Sequence, residues 1–109
     1  MKLTFLGKTT QGGGSPTLFA TDRGTYVVQG WKVPGQPHTV VEIPEALLGH
    51  LPVDTRLHVT LKPTGKRWTD DYGVSCPTYT LTGDAVTDHE ALLQMDIPDH
   101  ESCVEVGRQ

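Results

Sequence analysis

Thr17-Leu-Phe-Ala-Thr-Asp-Arg-Gly-Thr-Tyr-Val-Val-Gln-Gly-Trp-Lys-Val33 is the stretch that decides the fold class. Residues 17–20 and 25–33 are runs of β-branched and aromatic side chains, the types that fit a pleated, half-buried surface. Between them stands Thr21-Asp22-Arg23-Gly24, with Asp early and Gly late, the chemistry of a type I turn whose glycine takes a positive φ. The reading is a β-hairpin, and the remaining chain is read against it.

Working outward, residues 2–6 alternate polar and apolar side chains and predict a first strand, with Leu3 and Phe5 on one face. Residues 7–16 carry Gly12, Gly13, Gly14 and Pro16 and predict a flexible loop, because each glycine costs a helix about 1 kcal/mol relative to alanine. After the hairpin, Pro34-Gly35-Gln36-Pro37 breaks the chain and residues 39–43 resume as a strand. Residues 44–51 predict a short helix. Pro44 suits its first position, Glu45 complements the helix dipole, and Leu47, Leu48 and Leu51 form its apolar stripe. Residues 56–62 alternate, with Leu57, Val59 and Leu61 pointing one way, and predict a half-exposed strand. A turn at residues 63–67, a strand at 78–82 and a last strand at 103–106 follow. Between the last two, Thr87 and Glu90 read as a capping box opening a second helix through Met95, with Ala91, Leu92 and Met95 inward. The sum is a single α+β domain of 1–109, a small, mainly antiparallel β-sheet with two short helices and no βαβα alternation.

An internal echo runs through this pattern. Tyr26-Val-Val-Gln-Gly30-Trp-Lys-Val33 lies on Tyr79-Thr-Leu-Thr-Gly83-Asp-Ala-Val86 at one constant offset. Val41-Glu42-Ile43 after His38 then lies on Val104-Glu105-Val106 after His100 at a larger one, as an insertion near the second helix would produce. A duplication of a strand-turn-strand unit accounts for it. Chance is the competing account, since strands ending in Gly and Val-Glu-Ile triplets recur in β proteins.

Composition bounds the function. Nine basic and 13 acidic residues give a net charge of −4, which favours solubility and argues against a broad nucleic-acid footprint. No apolar stretch is long enough to span a bilayer. Met-Lys-Leu-Thr-Phe-Leu-Gly-Lys at the start lacks the apolar segment of a signal peptide, so the expected compartment is the cytoplasm. Cys76 and Cys103 fit that compartment as reduced thiols, being too sparse for a disulfide framework.

Catalytic patterns fail on inspection. Gly7-Lys8-Thr9-Thr10 imitates the end of a phosphate loop, but Lys2 stands where its first glycine belongs and glycines follow instead of a helix. Ser15 has no Gly-x-Ser-x-Gly elbow. Cys76 precedes Pro77 with no base at a readable spacing. A non-catalytic protein is favoured over a small enzyme, and no cofactor is expected other than a divalent metal.

Three groups remain as candidate sites. Asp88-His89-Glu90 and Asp99-His100-Glu101 are two copies of one triplet; His89, His100, Glu90 and Glu101 could hold a divalent metal or a small molecule if the fold gathers them. Acidic residues near a helix start, serving its dipole, are the competing account. Lys62, Lys66, Arg67 and Trp68 bring three cations and an aromatic to one turn, a fit for a phosphate backbone and a base, or an ordinary solvated hairpin tip. Phe19, Arg23, Tyr26 and Trp31 on the hairpin are the expected surface for a protein partner, since aromatics and arginine dominate interface energetics; Trp31 could equally fold into the core.

The hairpin stretch, from Ser15 to Val33, also resembles the N-terminal part of a group of small uncharacterised actinobacterial proteins. In those a Gln-Gly-Trp/Tyr-Lys-Val run precedes a segment like Asp96-Ile-Pro-Asp-His-Glu101 and then a Val-Glu-Ile-Pro run like that at Val41. Here the order departs, with the Asp-Ile-Pro-Asp-His-Glu segment near the C-terminus. Such proteins are similar to ones encoded beside helix-turn-helix regulators. The resemblance implies a regulatory accessory role and transfers no site residue; together with the missing catalytic patterns it leads to the expectation of a non-catalytic module that acts through contact with a regulator or a toxin-like partner.

Overall fold

In the computed structural model, residues 1–10 and 15–108 are described. The strands run β1 (Leu3–Lys8), β2 (Thr17–Thr21), β3 (Tyr26–Lys32) and β4 (Val40–Pro44), then a 3-10 helix (Glu45–His50). They continue as β5 (Leu57–His58), β6 (Lys62–Thr69), β7 (Ser75–Thr82) and β8 (Asp84–Ala85), then a helix α1 (His89–Leu93) and β9 (Glu101–Arg108). Every pairing is antiparallel. This is the expected small, mainly antiparallel α+β architecture with two short helices.

The hairpin forms as read. Leu18 pairs Val28 and Phe19 pairs Val27, and Gly24 takes φ +75° in the turn. Thr21 and Thr25 close it, their hydroxyls 2.7 Å apart and the Thr21 amide donating to the Thr25 carbonyl. β3 then becomes the centre of the sheet, with β2 on one side and β9 along the other from Tyr26↔Val106 to Trp31↔Glu101. Both of its faces are buried, which is why Tyr-Val-Val runs without polar alternation. Tyr26 and Val28 join Leu18, Val41, Ile43, Leu47, Leu81, Val104 and Val106 in the main core. Val27, with Phe19 and Cys103, faces the other way, under Leu3, Val86, Met95 and Ile97.

Gly30 lets β3 cross onto β4. A Cβ there would meet the Glu42 carbonyl oxygen at 2.6 Å and Ile43 Cγ2 at 2.9 Å. Beyond it Trp31 pairs Glu42 and Lys32 pairs Val41. The same sequence of events recurs. β7 pairs β4 as Tyr79↔Ile43, Thr80↔Glu42, Leu81↔Val41 and Thr82↔Val40, as β3 pairs β9 at Tyr26↔Val106, Val27↔Glu105, Val28↔Val104 and Gln29↔Cys103. Gly83 then lies 2.7 Å, at its would-be Cβ, from the Glu105 carbonyl oxygen. Past it Asp84 pairs Glu105 and Ala85 pairs Val104.

Several elements differ from the sequence reading. β1 runs on through Gly7 and Lys8 with a bulge after Phe5, so the expected loop at 7–16 starts later, and its glycines at 12–14 lie outside the described residues. Pro44 ends β4 with extended backbone, and the helix after it is 3-10. Of residues 56–62 only Leu57 and His58 pair as a strand of their own and Lys62 opens β6, although Val59 and Leu61 do pack on the core. The largest difference is at 63–67, where the expected turn is the middle of β6. Gly65 takes φ +81° and the register slips between Pro63 and Arg67. Among the described residues β6 pairs only β7, and an edge strand tolerates proline because its outer amides need no partner. Asp88, rather than Thr87, caps α1 by accepting from the Ala91 amide at 2.9 Å, and the helix stops at Leu93. Among the described residues no helix is long and apolar enough to cross a membrane.

Candidate ligand cleft

Where β3 leaves for β4, and where β8 leaves for β9, the connecting segments meet over the second face of the sheet. Gln29, Glu101 and Cys103 share that face through the register of β3 and β9. Gln29 is buried, and its Nε2 donates to Glu101 Oε1 and to the Asp96 carbonyl, each at 2.7 Å. Glu101 is 2% exposed. Its second oxygen, Oε2, is buried without a hydrogen-bond partner. His100 Nε2 lies 3.5 Å from it, on a side chain that is two thirds exposed.

Burial pushes the Glu101 carboxyl above the usual carboxylate range, and the Gln29 hydrogen bond only partly opposes it. Burial likewise pushes the Cys103 thiol up to about 11. Both residues border a cleft of about 290 Å³, with the Glu101 carboxylate enclosed beneath its surface. Lys32 and His38 line it from the β3–β4 connection, and Val86, Leu92 and Ile97 supply apolar wall. Two bonds hold the connections together: the Lys32 amide donates to the His100 carbonyl at 2.9 Å, and Ser102 Oγ donates to the His38 carbonyl at 2.8 Å.

The expected partner surface on the hairpin is corrected by this packing. Phe19 and Tyr26 are buried, one on each side of the sheet. Trp31 is half-buried, and exposed Arg23 ion-pairs with Glu105 at 2.8 Å. Of the four residues only Arg23 stays exposed.

The four residues expected to hold a metal are not assembled either. Glu90 bonds the Met1 amine at 2.6 Å, His89 is exposed at the start of α1, and Glu101 is committed to Gln29. Among the described residues no three His, Cys, Asp or Glu side chains gather to hold a metal ion. Cys76 and Cys103 are both free thiols.

Lys62, Lys66, Arg67 and Trp68 lie along β6, not on a hairpin tip. Arg67 Nε donates to Ser75 Oγ across the pair at 2.7 Å, and Trp68 is half-buried. Charge on an edge strand discourages pairing with another chain's edge.

Gln29, Lys32 and His38 were not among the expected site residues. One signal was present: an uncharged amide interrupts the apolar run Tyr26-Val-Val, and a buried amide needs a polar partner. A second cleft of about 390 Å³ lies between the end of β1, His50 and the turn at Asp70–Tyr72. At its rim Phe5 is 57% and Tyr72 88% exposed.

Compared with protein-family models, curated proteins and solved structures, the chain finds no match in any of the three.

Proposed function

We propose that this chain is a non-catalytic binding module that takes a small molecule in the cleft where the two connections meet, with Glu101 as its anchor. The observation that carries the reading is Glu101 Oε2, a carboxylate oxygen out of water with no donor. Leaving such a group unpaired costs about 1–3 kcal/mol, and more when it is charged. A ligand that brings a donor recovers that cost. Catalysis is not invoked: burial raises the Cys103 thiol, the opposite of activation, and Ser102 Oγ is committed to the His38 carbonyl.

The test is a thermal-shift and NMR screen of small polar organic compounds against the native protein and Glu101→Gln. The amide keeps the acceptor for Gln29 and removes the charge. Hits on the native protein should move amides at 101–103 and lose affinity in the variant. Hits that leave those amides still and bind both proteins alike would reject the assignment.

A duplicated origin is part of the same reading. It is supported by the matching registers of β3 on β9 and β7 on β4, and by the equivalent close approaches at Gly30 and Gly83. In that correspondence His38 answers to Glu101 and Lys32 to Ala85, so the cleft sits where the two repeats exchange strands. Matched alanine substitutions at the two glycines test it.

A second reading, contact with a regulator or other protein, is favoured by one observation. Phe5 and Tyr72 are strongly exposed aromatics on the rim of the second cleft, beside His50, and aromatic anchors are enriched in interfaces. It moves the expected surface from the hairpin to the outer edge at β1. Phe5→Ser with Tyr72→Ser should abolish capture of a partner from native lysate, and capture that survives the double substitution excludes this edge.

A further inference from the structure

We propose that the cleft selects an amphoteric molecule, one carrying a carboxylate and a protonated amine on a short apolar body. The proposal rests on the cleft being the binding place. Its starting point is the unlike chemistry of the two connections that form it. Lys32 and His38 stand on the β3–β4 connection, while at the corresponding places of the other the chain has Ala85 and Glu101. One side of the cleft is therefore basic and the other acidic.

Each side makes one demand. Glu101 is held by Gln29 through Oε1, which leaves Oε2 without a donor inside the protein. An ammonium group answers that best, since charge-assisted hydrogen bonds are roughly twice as strong as neutral ones. Lys32 is exposed at the cleft and forms no ion pair among the described residues; a carboxylate answers it. A simple amine would meet Lys32 as a like charge, and a simple anion would meet Glu101 as one. A molecule with both charges meets neither penalty. Val86, Leu92 and Ile97 line the same cleft and ask for an apolar body. At about 290 Å³ the space lies at the bottom of the range for ligand pockets, so the body must be short.

The probe set is L-valine with its two halves, isobutylamine and isovalerate, each titrated into the ¹⁵N-labelled full chain. Valine should shift the amides of Lys32 and of residues 101–103 and bind at least about tenfold more tightly than either half, a difference of about 1.4 kcal/mol. Glu101→Gln and Lys32→Ala should each weaken valine about tenfold. The second substitution is at an exposed position and leaves the core intact, so a failure of the first to fold does not remove the test. Isobutylamine or isovalerate shifting the cleft amides as strongly as valine would overturn the amphoteric assignment while leaving the cleft as the binding place. No cleft amide moving with any of the three would overturn both.

Discussion

Alanine at Gly30 puts a methyl carbon 2.6 Å from the Glu42 carbonyl oxygen and 2.9 Å from Ile43 Cγ2; at Gly83 it meets the Glu105 carbonyl oxygen at 2.7 Å and Val104 and Val106 at 2.9 Å. In both places the nearest atom is backbone, so no side chain can swing clear and a strand must shift. Overpacking of this kind costs about 1–3 kcal/mol, and collision with a carbonyl belongs at the upper end. The stiffer unfolded chain gives back about 0.4–1 kcal/mol. The net expectation is a loss of about 2 kcal/mol at each site, or about 8 °C in Tm for a domain of this size. Gly49→Ala is the control, because nothing lies within 4 Å of its Cβ position. It should be neutral or slightly stabilising. Urea denaturation with an unchanged m-value is the assay. Gly30→Ala and Gly83→Ala within about 0.5 kcal/mol of the parent would disprove the close approaches. A large loss at one and none at the other would disprove the equivalence of the two crossings.

Three further outcomes follow from the geometry. Because burial raises the Glu101 pKa in the folded chain, the unfolded chain releases that proton first as pH rises, and stability falls through the window between the ordinary and the raised value. Measured by urea denaturation from pH 4 to 7, the stability of the parent relative to Glu101→Gln should decline with rising pH; a flat difference refutes the burial cost. Cys103, pushed up to about 11, has about one thiolate in a thousand at pH 8, so Ellman's reagent should label half-buried Cys76 first and Cys103 only on unfolding. Equal rates would contradict that. Asp88→Ala removes the cap of α1 and should cost about 1 kcal/mol, whereas a loss under about 0.3 kcal/mol would show that the cap contributes nothing.

The hairpin was legible because its turn chemistry and its β-branched runs are local, and local signals survive into the fold. The same is true of Leu57, Val59 and Leu61, whose alternation gives the inward side correctly even where no strand forms. Reading 63–67 as a turn failed for a tertiary reason. Pro63 and Gly65 break a strand only where both edges must pair, and β6 has one free edge. Phe19 and Tyr26 misled in the opposite sense: aromatic side chains look like anchors until β9 covers the second edge of β3, a pairing with residues some 70–80 positions away that no window reveals. The cleft was half visible. His100 and Glu101 were singled out as potential ligands, but Gln29 and Lys32 join them only through the fold. The offset echo between the two Tyr-to-Gly segments was legible throughout, because it depends on nothing but order.

The pairing of β3 with β9 bears on how the chain is made. β3 is synthesised well before β9, the neighbour that covers its second edge. Loop-closure entropy must be met before that distant contact is rewarded, which makes such topologies slow to fold. At a synthesis rate of about 5–20 residues per second, the Tyr26-Val27-Val28 edge waits for several seconds with its amides unpaired. Nascent chains of this domain are therefore most prone to stick to one another in the interval before Val104 arrives.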